Sequence, residues 1–238
     1  MPVAIIDART SDECERALLL RGFRVVRTAP SRRLGEAVCA HPDMLMFAYN
    51  NKIITSVDYC DEAPYLFTDI RELSKEASIS FTDVNQEPTY PRDVCFNALV
   101  AGDKMFCRKD SIAPALLTLA DAEGLRVIDV KQGYPACTVL LLDEHHAISA
   151  DKGMARALCA EGIEVTEISN GDILLPPHEY GFIGGAAGVY KDTVYFIGDV
   201  STHRDSGKIL SACEKANKRV ASLSGDMLLD LGRILFID

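Results

Sequence analysis

The chain has 238 residues, of which 48% are apolar and 25% charged, with a formal net charge of −10. That balance excludes a disordered chain and suits one domain, spanning 1–238, with a sizeable core. The acidity argues against a nucleic-acid partner, which needs clustered Lys and Arg, and no apolar run reaches the roughly 18 residues of a membrane span.

In chain order, residues 2–9 (PVAIIDAR) predict a strand, and residues 13–28 (ECERALLLRGFRVVRT) a helix and a second strand. Residues 44–57 (MLMFAYNNKIITSV) predict a hairpin turning at Asn50-Asn51, and 65–84 a less regular helix and strand. The same order recurs: a hairpin over 94–109 turning near Gly102-Asp103, then a helix and strand over 114–130. It returns at 137–150, turning at Asp143-Glu144-His145, with 154–168, and at 181–200, turning at Lys191-Asp192, with 209–223. Residues 227–238 (MLLDLGRILFID) predict a closing hairpin, while 56–64 and 85–92 read as loops. Gly22, Gly124 and Gly162 stand at one point of the repeat, where a helix ends in the left-handed conformation; Asn217 replaces them in the last copy. Joining the two ends completes a fifth strand–strand–helix–strand unit and hides two sheet edges. A two-domain α/β arrangement without closure is the competing layout.

The eight cysteines are scattered with no C-x-x-C pair. MPVAIIDARTSDEC has neither a basic region nor a long apolar region of a secretory leader, so reduced thiols and a cytoplasmic location are expected.

Five such units in a ring resemble the pentein, or guanidine-group modifying enzyme, superfamily, and most of all a bacterial branch that lacks the usual Cys and His. The superfamily includes dimethylarginine dimethylaminohydrolases, arginine and agmatine deiminases, amidinotransferases and a non-catalytic ribosome-binding initiation factor. The resemblance implies an α/β fold, a five-bladed β/α-propeller of ββαβ repeats whose N- and C-termini share one blade. It implies a central funnel where carboxylates hold a guanidinium, a Cys attacks its carbon and a His moves protons. Carried over, the carboxylates fall near Asp43, in His41-Pro42-Asp43-Met44, and at Asp93, in Pro91-Arg92-Asp93-Val94. The His position falls in Gly133-Tyr134-Pro135-Ala136-Cys137, which has no His. The Cys position falls in Leu229-Asp230-Leu231-Gly232, which has no Cys.

Two functions follow as expectations. The first is a funnel binding a small cationic ligand, guanidino or amino, through Asp43, Asp93, Asn97, Asp226 and Asp230. If it is an enzyme, a C–N hydrolase- or amidinotransferase-like reaction recruits Cys137, or Cys95, with His178, whose approach is rigidified by two prolines. The second is a scaffold without catalysis that binds a protein or ribosomal partner or a second copy of itself. No cofactor or metal is called for: His145-His146 reads as a solvated turn, and His203 with Asp199 and Asp205 as a loop. Gly184, Gly185 and Gly188 lie inside a strand pattern and mark close backbone approach, not a nucleotide loop.

Overall fold

A computed structural model of the chain describes residues 1–238. The left-handed residues that punctuate the sequence punctuate the structure as well. Gly22, Gly124, Gly162 and Asn217 end their helices at φ between 52° and 86°, where only Gly and Asn are cheap. Asn50 and Asn51 turn the first hairpin at φ 47° and 60°, a geometry that suits the twist of the flanking strands.

These turns produce small open sheets of one pattern. Leu235–Ile237, Val3–Ile6 and Arg24–Arg27 form a sheet in that order; Met46–Tyr49, Lys52–Ser56 and Ser78–Thr82 form the next. Leu99–Ala101, Lys104–Cys107 and Arg126–Asp129 follow, then Val139–Leu141, His146–Ser149 and Glu164–Glu167, then Ala187–Tyr190, Thr193–Phe196 and Arg219–Ser222. In each, the first pair is antiparallel and the second parallel, with a helix in the parallel crossover. The two chain ends share a sheet, Val3 opposite Ile237.

Alternation along the middle strands explains why these strands are apolar on both faces. Val3 and Ile5 pack with Met46 and Ile53, while Ala4 and Ile6 pack with Tyr195 and Ile197. Ile54 turns to Met105 and Cys107, Phe106 to Val139 and Ala147, and Ile148 to Val194 and Phe196. Each sheet thus shares one core cluster with the sheet before it and another with the sheet after it, and the last returns to the first.

Three readings are corrected. Residues 227–238 are not a hairpin: Leu228–Leu229 pairs in parallel with Ile173–Leu174, and only Leu235–Ile237 joins the terminal sheet. Gly232 and Arg233, at φ 67° and 71°, turn the chain between them, a geometry that an apolar run does not announce. Part of 56–64 is helical, Val57–Glu62, because the Ser56 side chain accepts from Tyr59 N–H and caps it. Cys137 lies in a four-residue helix, Pro135–Thr138, rather than in the strand that follows. No helix is long and apolar enough to cross a membrane.

Candidate functional site

The segments leading into the first strand of each sheet converge, and equivalent positions in them form layers. Five residues ahead of the strand starts at Met46, Leu99, Val139, Ala187 and Leu235 stand His41, Val94, Tyr134, Phe182 and Asp230. Two residues ahead stand Met44, Asn97, Cys137, Gly185 and Arg233. His41, Tyr134, Phe182 and Asp230 all line one cavity of about 320 Å³, together with buried Met44 and Cys137 and exposed His178 and Glu179.

The inner layer is a polar knot. Asn97, 1% exposed, donates to Cys137 Sγ at 3.1 Å and accepts at Oδ1 from Ala136 N–H at 2.9 Å. Cys137 Sγ in turn donates to Asp43 Oδ2 at 2.9 Å. Burial, and then the Asp43 and Asp230 carboxyls, push the Cys137 thiol well above its ordinary range, so it holds its proton. Asp43 Oδ1 has no partner, and burial pushes this carboxyl up although Cys137 and the nearby Arg233 guanidinium oppose it.

Asp230, 1% exposed, is the buried carboxyl on the cavity wall. Its oxygens accept from Phe182 N–H at 2.8 Å and Gly232 N–H at 3.1 Å. Burial pushes its pKa up to about 7 against those two bonds. Gly185 fits beneath it because a Cβ there would come within 1.9 Å of Asp230 Oδ1, which gives that glycine a packing reason. A Cβ on Gly184 would likewise come within 2.4 Å of the Ala136 carbonyl oxygen; both glycines precede the strand Ala187–Tyr190 rather than lying in it.

The structure places the sequence candidates in three groups. Cys137, Asp230 and His178 share the cavity, His178 at its exposed edge. Asp43, Asn97 and Asp93 lie behind it, and Asp93 Oδ2 accepts from the Tyr134 hydroxyl at 2.6 Å. The two aspartates are not in phase: Asp43 stands three residues ahead of its strand and Asp93 six. Asp226 is exposed and apart from the cavity, because the expected hairpin is absent. Cys95 packs in a core cluster, with burial pushing its thiol up to about 12. His146 holds Asp143 within its turn at 3.0 Å, and Asp199 caps Val200–Thr202 through Ser201 N–H. His203 lies in a loop, as expected, and is buried there, with Nδ1 accepting from Asp205 N–H. No group of three or more His, Cys, Asp or Glu is placed to hold a metal ion.

Sequence reading passed over His41, Tyr134 and Phe182. Their signal is the shared offset from the next strand, reinforced by the His41-Pro42 and Tyr134-Pro135 dipeptides that each open a four-residue helix.

The sequence matches a family described as "Family of unknown function (DUF6873)" over residues 5–235. No curated protein matches it. Among solved structures, agmatine deiminase of C. jejuni superposes with a TM-score of 0.56 at 10% identity, covering 93% of this chain and 87% of its own. DDAH from Pseudomonas aeruginosa, solved with citrulline, gives 0.57 at 11%, covering 94% and 92%. SxtG, an amidinotransferase from Microseira wollei, gives 0.56 at 12%, covering 90% and 73%. At such identities the likeness shows the fold, which is that of the guanidine-modifying pentein superfamily.

Proposed function

The chain belongs to the DUF6873 family, and from that premise and its pentein fold we propose that it binds a small organic cation, amino or guanidino, against Asp230. The observation that carries this is a buried carboxyl, Asp230, on the wall of a cavity also faced by the rings of Tyr134, Phe182 and Tyr180, with the Glu179 carboxylate at its exposed edge. Aromatic faces and one desolvated carboxylate are complementary to a weakly hydrated cation. The cyclic succession of core clusters and the layered strand-entry positions support the finer reading of the sheets as five blades of one closed propeller. In this reading Asp43 and Asp93 support the site instead of touching the ligand.

Calorimetric titration of agmatine, arginine and butylamine into the wild type and Asp230→Asn tests the proposal. Binding weakened about tenfold or more by the substitution is expected, because a charge-assisted contact is lost. At pH 6, where Asp230 is mostly protonated, binding releases close to one proton, seen as a heat that depends on buffer ionisation. No binding up to millimolar concentration sinks the proposal.

A second reading is favoured by Cys137 lying on the same cavity. A C–N hydrolase- or amidinotransferase-like reaction would have Sγ attack the guanidinium carbon as the thiol proton passes to a carboxylate. The C–N bond would break as the leaving amine takes that proton, and the amidino group then pass from Sγ to water or to an acceptor amine, which restores the thiol. Product release from agmatine or arginine, absent in Cys137→Ala, is its expected outcome; binding without turnover leaves the first reading alone.

A further inference from the structure

Each three-stranded sheet ends in an outer strand with one unpaired edge, a template for a foreign strand unless charge or cover blocks it. Four of the five outer strands carry charge: Arg24 and Arg27, Arg126 and Asp129, Glu164 and Glu167, and Arg219. Ser78–Thr82 (SISFT) carries none, and its Ser78, Ser80 and Phe81 are exposed. None of its residues lines the cavity.

The register of this strand fixes which of its groups are free. It pairs in parallel with Lys52–Ser56, and Ser78 N–H donates to Asn51 O at 2.8 Å. By the alternation of a parallel ladder, Ser78, Ser80 and Thr82 turn their backbone groups inward, and Ala77, Ile79 and Phe81 turn theirs to the open edge. Ile79 and Phe81 also share one face of the sheet, where the Phe67 ring meets Phe81 edge-on at 5.5 Å and Arg71 lies over it. Phe81 is still 38% exposed. Just outside the strand stand Lys75 before it and Asp83 after it, both exposed and neither in an ion pair within its own chain.

We infer that Ser78–Thr82 is the edge through which two copies of the chain join, antiparallel about a twofold axis at Ile79. In this register Ile79 pairs with Ile79 of the second copy, Ala77 with Phe81 and Ser78 with Ser80, and Lys75 comes level with Asp83. The outward N–H and C=O groups of Ala77, Ile79 and Phe81 then bond one another, and the Phe81 ring is covered by Ala77 and Ile79 of the second copy. Charge selects a second copy as the occupant. A chain of net charge −10 repels itself over most of its surface, whereas this edge is neutral and its flanks are self-complementary, Lys75 meeting Asp83 at both ends. Each copy offers one such edge, so association closes at the dimer.

Sedimentation velocity on the full chain, Lys75→Asp, Asp83→Lys and the double variant tests this. A sheet-edge interface is small, so the wild type is expected to be dimeric at about 100 µM and monomeric near about 1 µM. Each single substitution sets like charges opposite one another and is expected to weaken the dimer about tenfold or more. The double variant, which reverses both pairs, is expected to restore it. Both positions are exposed, so unchanged thermal melts of the dilute monomers separate these effects from misfolding. Hydrogen exchange at the Ile79 and Phe81 amides is expected to slow at the higher concentration, while that of Ser80, already bonded inward, changes little. A wild type that stays monomeric at about 100 µM, a dimer indifferent to both single substitutions, or one that the double variant fails to restore overturns the inference.

Discussion

Asp230 and His41 are buried titratable groups on one cavity whose linkages to folding run in opposite directions. Asp230 titrates near 7 in the folded chain against about 3.9 when unfolded, so the native state binds the extra proton and stability falls as pH rises between these values. His41 titrates near 4 when folded against about 6.5 unfolded, so its contribution is complete above 6.5 and is lost as pH falls toward 4. Between pH 4 and 6.5 the two slopes largely cancel. Asp230→Asn is therefore expected to gain stability at pH 8, by about 2–4 kcal/mol at most, and to lose it steadily on acidification. His41→Phe is expected to show the reverse slope, most stable near pH 4–5; urea melts of both variants across this range check the pair. Parallel slopes in the two variants would falsify the assignment. The inner layer makes a further prediction. Asn97 joins the Ala136 backbone and the Cys137 thiol, and its replacement by Ala is expected to cost about 2–4 kcal/mol and to raise the reactivity of Cys137 toward thiol reagents. Unchanged stability would show that the knot holds little.

At the scale of elements, the local signals were strong because local geometry alone decides them. The Gly and Asn at helix ends and Asn50-Asn51 in the first hairpin follow from positive φ, which few residues tolerate. Lys191, like Arg233, is an exception, turning its hairpin at φ 52° with an ordinary side chain. Lys191→Asn is expected to stabilise the chain by about 0.5 kcal/mol, and Asn217→Val to destabilise it by about 1–2 kcal/mol, both read from denaturant melts. The closing hairpin was misread for the opposite reason. Residues 228–229 and 235–237 are each apolar enough to pair with the other, but each has a better partner distant in sequence. Alternation of apolar residues reports that a strand is buried and does not report on which strand it pairs.

For the whole molecule, the antiparallel pairing of Val3 with Ile237 brings the two ends of the chain together in one sheet. A permutant that links residue 238 to residue 1 through a short Gly-Ser segment, and opens the chain between the exposed Ser169 and Asn170, is expected to melt cooperatively with unchanged far-ultraviolet circular dichroism. Deleting residues 235–238 instead leaves Val3–Ile6 without its antiparallel neighbour and is expected to abolish the cooperative melt. A stable truncation would mean that the terminal sheet is not part of the common core. The sequence by itself determined the repeating unit, its turns and the pairing of its ends, because hydrophobic alternation and left-handed residues act over a few neighbours. It also drew Cys137, Asp230 and His178 into view, three residues that the structure sets on one cavity. Only the tertiary structure decided which strand-entry residues meet there. His41, Tyr134, Phe182 and Asp230 come from segments far apart in the chain, and a residue's depth at their meeting point depends on where its own strand begins. An error of three residues in that offset, as between Asp43 and Asp93, moves a side chain to a different layer, and strand starts are fixed by long-range pairing that no local pattern contains.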